Sequence, residues 1–171
     1  ALPFYLALGT YAWRARRRRG EATDLSGATL AKTCLVGVLG YYLASFLDME
    51  GLAHITAQFE RLLLYTYPTF VAVIGYLLFK QRLGRAHLAS LGLTYLGLAF
   101  VFVEDMGSLG ERVALGAALV LACSVIYALY LLLSRPLIGR LGAPLFTTIS
   151  MVSGTVCLIV HFLVTNPLAD L

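Results

Sequence analysis

Charge is scarce in this chain. Only 13% of its 171 residues are Asp, Glu, Lys or Arg, where a water-soluble domain carries about 25%. That shortage excludes a domain with a fully solvated surface. Cysteine is scarce too: Cys34, Cys123 and Cys157 are isolated within apolar blocks, with no CxxC or metal-like spacing, so they read as small hydrophobes outside any disulfide framework. The sequence holds no GxSxG, no HExxH, no phosphate loop and no carboxylate pair at metal-ligand spacing. The three histidines, His54, His87 and His161, are scattered at or near the ends of apolar blocks, where a structural role at an interface is expected. No catalytic residue, cofactor or metal is expected, and the chain does not read as an enzyme.

Apolar length is what the sequence has instead. Hydrophobic residues make up 60% of it and the mean hydropathy is +0.83. From Leu62 to Phe79 eighteen residues pass without a charge, which at a helical rise covers about 27 Å, close to the hydrocarbon thickness of a bilayer. Six apolar blocks can be read: a stub before Arg14, then about Leu30 to Leu47, Leu62 to Phe79, about Leu88 to Val103, Val113 to Leu133, and about Ala143 to Val164. Gly51, Gly84, Gly107 with Gly110, Pro136 with Gly139 and Gly142, and Asn166 with Pro167 mark the connectors. Backbone groups in lipid must be satisfied within a segment, and no block alternates like a barrel strand, so the spans are helices. The fold class is all-α: a polytopic membrane helical bundle of six apolar helices. The first block is too short to span and has no cationic stretch before it, so it reads as a truncated helix, and the chain as an interior piece of a longer protein.

The connectors sort by sign. Arg14, Arg16, Arg17, Arg18, Arg19 and Lys32, then Lys80, Arg82 and Arg85, then Arg135 and Arg140, place eleven of the 13 basic residues in alternate connectors. Asp48 and Glu50, then Glu104, Asp105 and Glu111, then Asp170, occupy the others, with Arg112 as their single cation. The positive-inside rule makes the first set cytoplasmic and puts the chain end at Leu171 outside. An arginine run also fits a nucleic-acid patch. Abutting an apolar helix end it reads as a topological anchor that attracts anionic lipid, with no nucleic-acid partner. Small-residue stripes, Ala114, Ala118 and Ala122 beside Gly116, and Gly37, Gly40 and Ala44, are expected to bring helices into close contact.

Ionisable residues at membrane depth are costly and mark candidate sites. Glu60 and Arg61 open the third block and point about 100° apart: Arg61 shares a face with Tyr65, Pro68 and Ala72, Glu60 with Leu64, Tyr67 and Val71. At least one is expected to face the interior, a cavity or a partner; the alternative is that both reach the headgroups. Asp48, across the hairpin, is the nearest candidate in sequence to pair with Arg61. Pro68 has no amide proton for the carbonyl of Leu64, so a kink there is expected to expose backbone to a cavity or be relieved by neighbours. Tyr41, Ser45 and Asp48, with Tyr42 beside them, form a polar line on the second helix; Ser124, Tyr127 and Ser134, near Tyr130, and Thr147, Ser150 and Ser153 form others. Such lines are either a wet path or interhelical hydrogen bonds.

The hairpin from Tyr41 to Phe102 resembles the EamA branch of the drug/metabolite transporter superfamily. The likeness rests on the GL-x-hydrophobic turn at Gly51, the proline in the following helix, the L-x-x-K-x-R-L ending at Leu83, and the glycine-containing helix after it. Family members read glutamate, arginine, leucine after that helix, where this chain has Gln81, Arg82 and Leu83. The resemblance implies a fragment of a ten-helix inverted-repeat transporter of the bacterial inner membrane. Residues 1–110 would hold helices 2 to 5 of the first repeat and 111–171 helices 6 and 7 of the second. It implies export of small metabolites, amino-acid-like or drug-like, by alternating access. The expected substrate pathway is Tyr41, Ser45, Asp48, Glu60, Arg61, Tyr65, Pro68, Ser124 and Tyr127, with Arg61 receiving an anionic group and Asp48 or Glu60 balancing it or carrying a proton. Expected partners are a small-molecule substrate and membrane lipid, and a homodimer is compatible with both. A non-transporting scaffold, assembly factor or lipid-binding module is the alternative.

Overall fold

The computed structural model describes residues 2–18, 25–80, 84, 89, 91–93, 95–96 and 111–165. Every regular element among them is helical: α1 (Leu2–Arg18), α2 (Gly27–Gly37), a π-helical segment (Val38–Leu43), α3 (Ala44–Leu52), α4 (Ala57–Leu64), α5 (Tyr67–Phe79), α6 (Glu111–Leu141) and α7 (Ala143–Thr165). Four runs are long and apolar enough to cross a bilayer: Gly27–Leu52, Ala57–Leu78, Val113–Leu141 and Ala143–Thr165. The expected all-α membrane bundle is what the chain forms. The block expected from about Leu88 to Val103 lies for the most part outside the described residues.

Outward-facing side chains explain why so little charge suffices. Val156, Leu158, Ile159, Val160, Phe162 and Leu163 are all exposed on α7. A water-soluble chain would hide such a stripe; a lipid-facing one has no reason to.

The chain divides into two compact units, residues 1–43 with 133–171 and residues 44–132. In the first, α7 is the hub on which α1, α2 and the π-helical segment pack. Small residues set these crossings. A Cβ added to Gly37 would lie 2.5 Å from the Cα of Ser150, and one added to Gly154 would lie 2.6 Å from the Cβ of Tyr41. Close approach lets hydroxyls cross between helices: Ser153 Oγ donates to the carbonyl of Cys34 at 3.2 Å, and Thr148 Oγ1 to that of Tyr5 at 3.2 Å. Tyr42 Oη and His161 Nδ1 are 3.0 Å apart. For Ser153, the polar line on the last helix is therefore interhelical hydrogen bonding. α6 and α7 are joined at Gly142, which takes φ +82°, a left-handed conformation that glycine adopts freely.

The expected connector at Arg135 to Arg140 needs correction. α6 runs unbroken for 31 residues to Leu141, with Pro136 inside it, so both arginines are helical. At about 1.5 Å per residue α6 exceeds the hydrocarbon core. Its surplus turns carry Arg135 and Arg140 as exposed side chains. The alanine stripe of α6 is also not its packed face: Ala114, Ala118 and Ala122 are exposed, whereas Gly116, Val120, Cys123 and Ser124 are buried.

In the second unit, Gly51 and Gly116 let the end of α3 meet α6. A Cβ on Gly116 would lie 2.9 Å from the carbonyl oxygen of Gly51, and one on Gly51 would lie 2.6 Å from Val120 Cγ2. Ile55, Phe59, Leu62 and Val120 form the core beside this crossing. Thr56 starts α4 by accepting from the amide of Phe59 at 3.2 Å, satisfying one of the free donors at a helix start.

The Leu62–Phe79 stretch is broken in two. α4 stops at Leu64, Tyr65 and Thr66 make a turn, and α5 restarts with Pro68 in its first turn. There a missing N–H costs nothing, and the residue before a proline disfavours helical geometry. The amide of Thr66 (3.0 Å) and its Oγ1 (2.6 Å) both donate to the carbonyl of Leu63. The irregularity expected at Pro68 thus falls at Tyr65 and Thr66.

Candidate functional site

The second unit holds eight of the nine residues expected to line a pathway, and the structure sorts them. Glu60 is 2% exposed, one turn into α4 against the core, while the side chain of Arg61 is 71% exposed. Of the two faces, the glutamate face points inward. Tyr65 follows Arg61 outward at 57% exposed, and Ser45 is exposed on α3. Tyr41 belongs to the other unit, where it packs against Gly154.

Asp48 does not pair with Arg61 as expected. Arg61 Nε lies 3.3 Å from Glu60 Oε2, and the Asp48 carboxyl stands within hydrogen-bonding reach of Glu60. Gly51 brings α3 against α6 one turn beyond Asp48, which draws that carboxyl toward the start of α4. Two oxygens of this pair, Asp48 Oδ1 and Glu60 Oε1, are buried without a hydrogen-bond partner. Cys123 of α6 lies close enough to feel both carboxyls.

Below the pair, Ser124 and Tyr127 mark a second polar zone on α6. Ser124 Oγ is 3.4 Å from the carbonyl of Leu63 and 3.0 Å from that of Val120, which ties α6 to the broken turn. Tyr127 meets the edge of Tyr67 with ring centroids 5.2 Å apart, and Tyr130 stacks on Tyr127 at 5.9 Å. Pro68 is half-buried beside Tyr67 in the first turn of α5. Tyr67 and Cys123 were absent from the expected pathway. Tyr67 would share the face of Glu60 in an unbroken helix, but the turn at Tyr65 and Thr66 separates the two, so only the structure places it against Tyr127. Cys123 had only its adjacency to Ser124 to signal it.

Apolar helices long enough to span, small-residue crossings, and a buried carboxyl pair beside a broken helix define the class: a polytopic α-helical membrane protein with polar groups held at depth. The family model described as the EamA-like transporter family matches residues 1–103, more than half of the chain, and the chain belongs to that family. It is 33% identical over 115 residues to the uncharacterized transporter YcbK of Bacillus subtilis, covering 66% of this chain and 36% of that protein. It is 23% identical over 147 residues to an uncharacterized transporter of Clostridium kluyveri, covering 83% of this chain and 47% of that one. The chain thus spans between about a third and a half of these curated relatives. No solved structure matches it.

Proposed function

We propose that the whole protein exports small metabolites, amino-acid-like or drug-like, across the bacterial inner membrane by alternating access. The observation that carries this reading is a buried polar site, Asp48 with Glu60, in a chain of a transporter family. Family membership favours transport over catalysis, and the relatives named as transporters are bacterial. Residues 1–110 and 111–171 are taken as parts of two inverted repeats. Lys80 and the arginine-bearing end of α1 are taken as cytoplasmic and Glu60 as near the outer face, following the basic connectors.

Within this reading the broken helix supplies the substrate groups. Discontinuous spans expose backbone and side-chain dipoles where a solute binds. Arg61 and Tyr65, exposed on one side of the break, receive an anionic group. Ser124, Tyr127 and Pro68 line its other side, Ser45 extends the path along the second span, and Glu60, 3.3 Å from Arg61, balances it. Uptake of radiolabelled amino acids into vesicles containing the whole protein tests this. Arg61→Ala with Tyr65→Ala is expected to lower uptake more than about tenfold, the loss of one charge-assisted contact of about 1.5–3 kcal/mol plus an aromatic one. Undiminished uptake by that double variant would remove both residues from the path.

A further inference from the structure

The described residues of the first unit include arginines and a lysine but no aspartate or glutamate. Two of these cations, Lys32 and Arg140, lie outside the arginine run of α1 and border one groove of about 370 Å³. Val36 and Leu137, each 6% exposed, form its floor, and Leu35, Leu133 and Pro136 its walls. The helix directions fix how these residues are arranged. α2 runs parallel to α7, since Gly37 meets Ser150, Tyr41 meets Gly154 and Tyr42 reaches His161. α6 turns back into α7 at Gly142, so α2 and the end of α6 are antiparallel. Lys32 and Arg140 therefore stand at one end of the groove, and Val36 and Leu133 lie about 6–10 Å deeper along it. Arg140 is in the last turn of α6, where a span meets the headgroups.

We propose that this groove binds one anionic phospholipid, with its phosphate between Lys32 and Arg140 and an acyl chain along Val36 and Leu137. Charge decides the head. A guanidinium has five donors and meets phosphate oxygens two at a time, so Arg140 keeps its contact within the fold while it binds. Lys32 adds a compact charge on a flexible stem. Apolarity decides the tail: a free phosphate gains nothing from the leucines below, whereas an acyl chain is stabilised by each methylene it buries. Exposure decides the route. Leu35 is 71% exposed and Leu133 37%, so the groove is open on the side where lipid lies. None of its residues belongs to the expected substrate pathway, and the inference is independent of the transport reading.

Native mass spectrometry of the whole protein, titrated in detergent with phosphatidylglycerol or phosphatidylcholine, tests this. The wild type is expected to hold one phosphatidylglycerol about tenfold or more tighter than phosphatidylcholine. Lys32→Ala with Arg140→Ala is expected to weaken phosphatidylglycerol about thirtyfold, at about fivefold for each cation beside an anionic headgroup. Arg14 and Arg18 border a separate hollow on α1. Their replacement by alanine removes as much charge and is expected to weaken the lipid less than about threefold. Equal losses from the two double variants would make the attraction a diffuse field and overturn the site. Leu35→Trp narrows the groove from its exposed wall without changing charge, and is expected to weaken the lipid several-fold. Lipid binding unmoved by that variant, or fully displaced by millimolar inorganic phosphate, would assign the cations to a free anion and overturn the lipid. If the charge variant fails to fold, the wild-type preference and Leu35→Trp decide; a wild type that does not prefer phosphatidylglycerol overturns the proposal.

Discussion

Glu60 and Arg61 are neighbours in the chain and opposites in environment, which makes their substitution a clean comparison. The pair they form is half in solvent, and such an ion pair is worth no more than about 1 kcal/mol. Arg61→Ala is therefore expected to leave the melting temperature of the whole protein within a few degrees of the wild type. Glu60→Leu keeps the site filled and removes a buried carboxyl that has one oxygen without a partner, and is expected to be tolerated too. Phe59→Asp, by contrast, buries an unpaired anion in the core formed with Ile55, Leu62 and Val120, at a cost of several kcal/mol. It is expected to abolish the monodisperse peak in size-exclusion chromatography. Gly142 is the other residue with a single role. Its left-handed φ and the Arg16 guanidinium standing where a Cβ would go predict that Gly142→Ala destabilises by about 1 kcal/mol or more in a thermal melt.

At the scale of helices, glycine positions carry the packing. Gly116 and Gly37 face the backbone of a neighbour, so Gly116→Leu is expected to cost about 1–3 kcal/mol by overpacking. Ala118→Leu, on the exposed side of the same helix, is expected to change the melt by less than about 0.5 kcal/mol. Equal losses from both would show that the packed face of α6 has been misassigned. This contrast also shows what was legible in the sequence. The existence of the spans was plain, because an uncharged run such as Leu62 to Phe79 has few other uses. Which stripe packs was not, since glycine and alanine stripes look alike in a chain that is apolar on every side. Helix limits were hidden for a related reason. Pro136 and Gly139 read as turn residues, yet α6 continues through them to Leu141, its last turns carrying exposed arginines. The π-helical segment from Val38 to Leu43 left no mark in the spacing of Tyr41, Ser45 and Asp48. On α3 itself Ser45 is exposed while Asp48 is partly buried. The candidate site was half legible: charge at depth flagged Glu60 and Asp48, but only packing could tell that the two carboxyls meet each other and not Arg61.

At the scale of the molecule, the sign of the connectors and the family membership make one joint claim about direction and task. Orientation can be checked with a membrane-impermeant thiol reagent on cells, after the native cysteines are replaced by alanine. Glu50→Cys is expected to label from outside and Lys80→Cys only after lysis; the reverse pattern would invert the assignment of sides. The task itself is tested most directly by reconstituting the whole protein in vesicles and following labelled amino acids. The account predicts saturable uptake above that of protein-free vesicles. Protein that is folded and correctly inserted, yet moves no solute and instead co-purifies with one fixed partner, would contradict it.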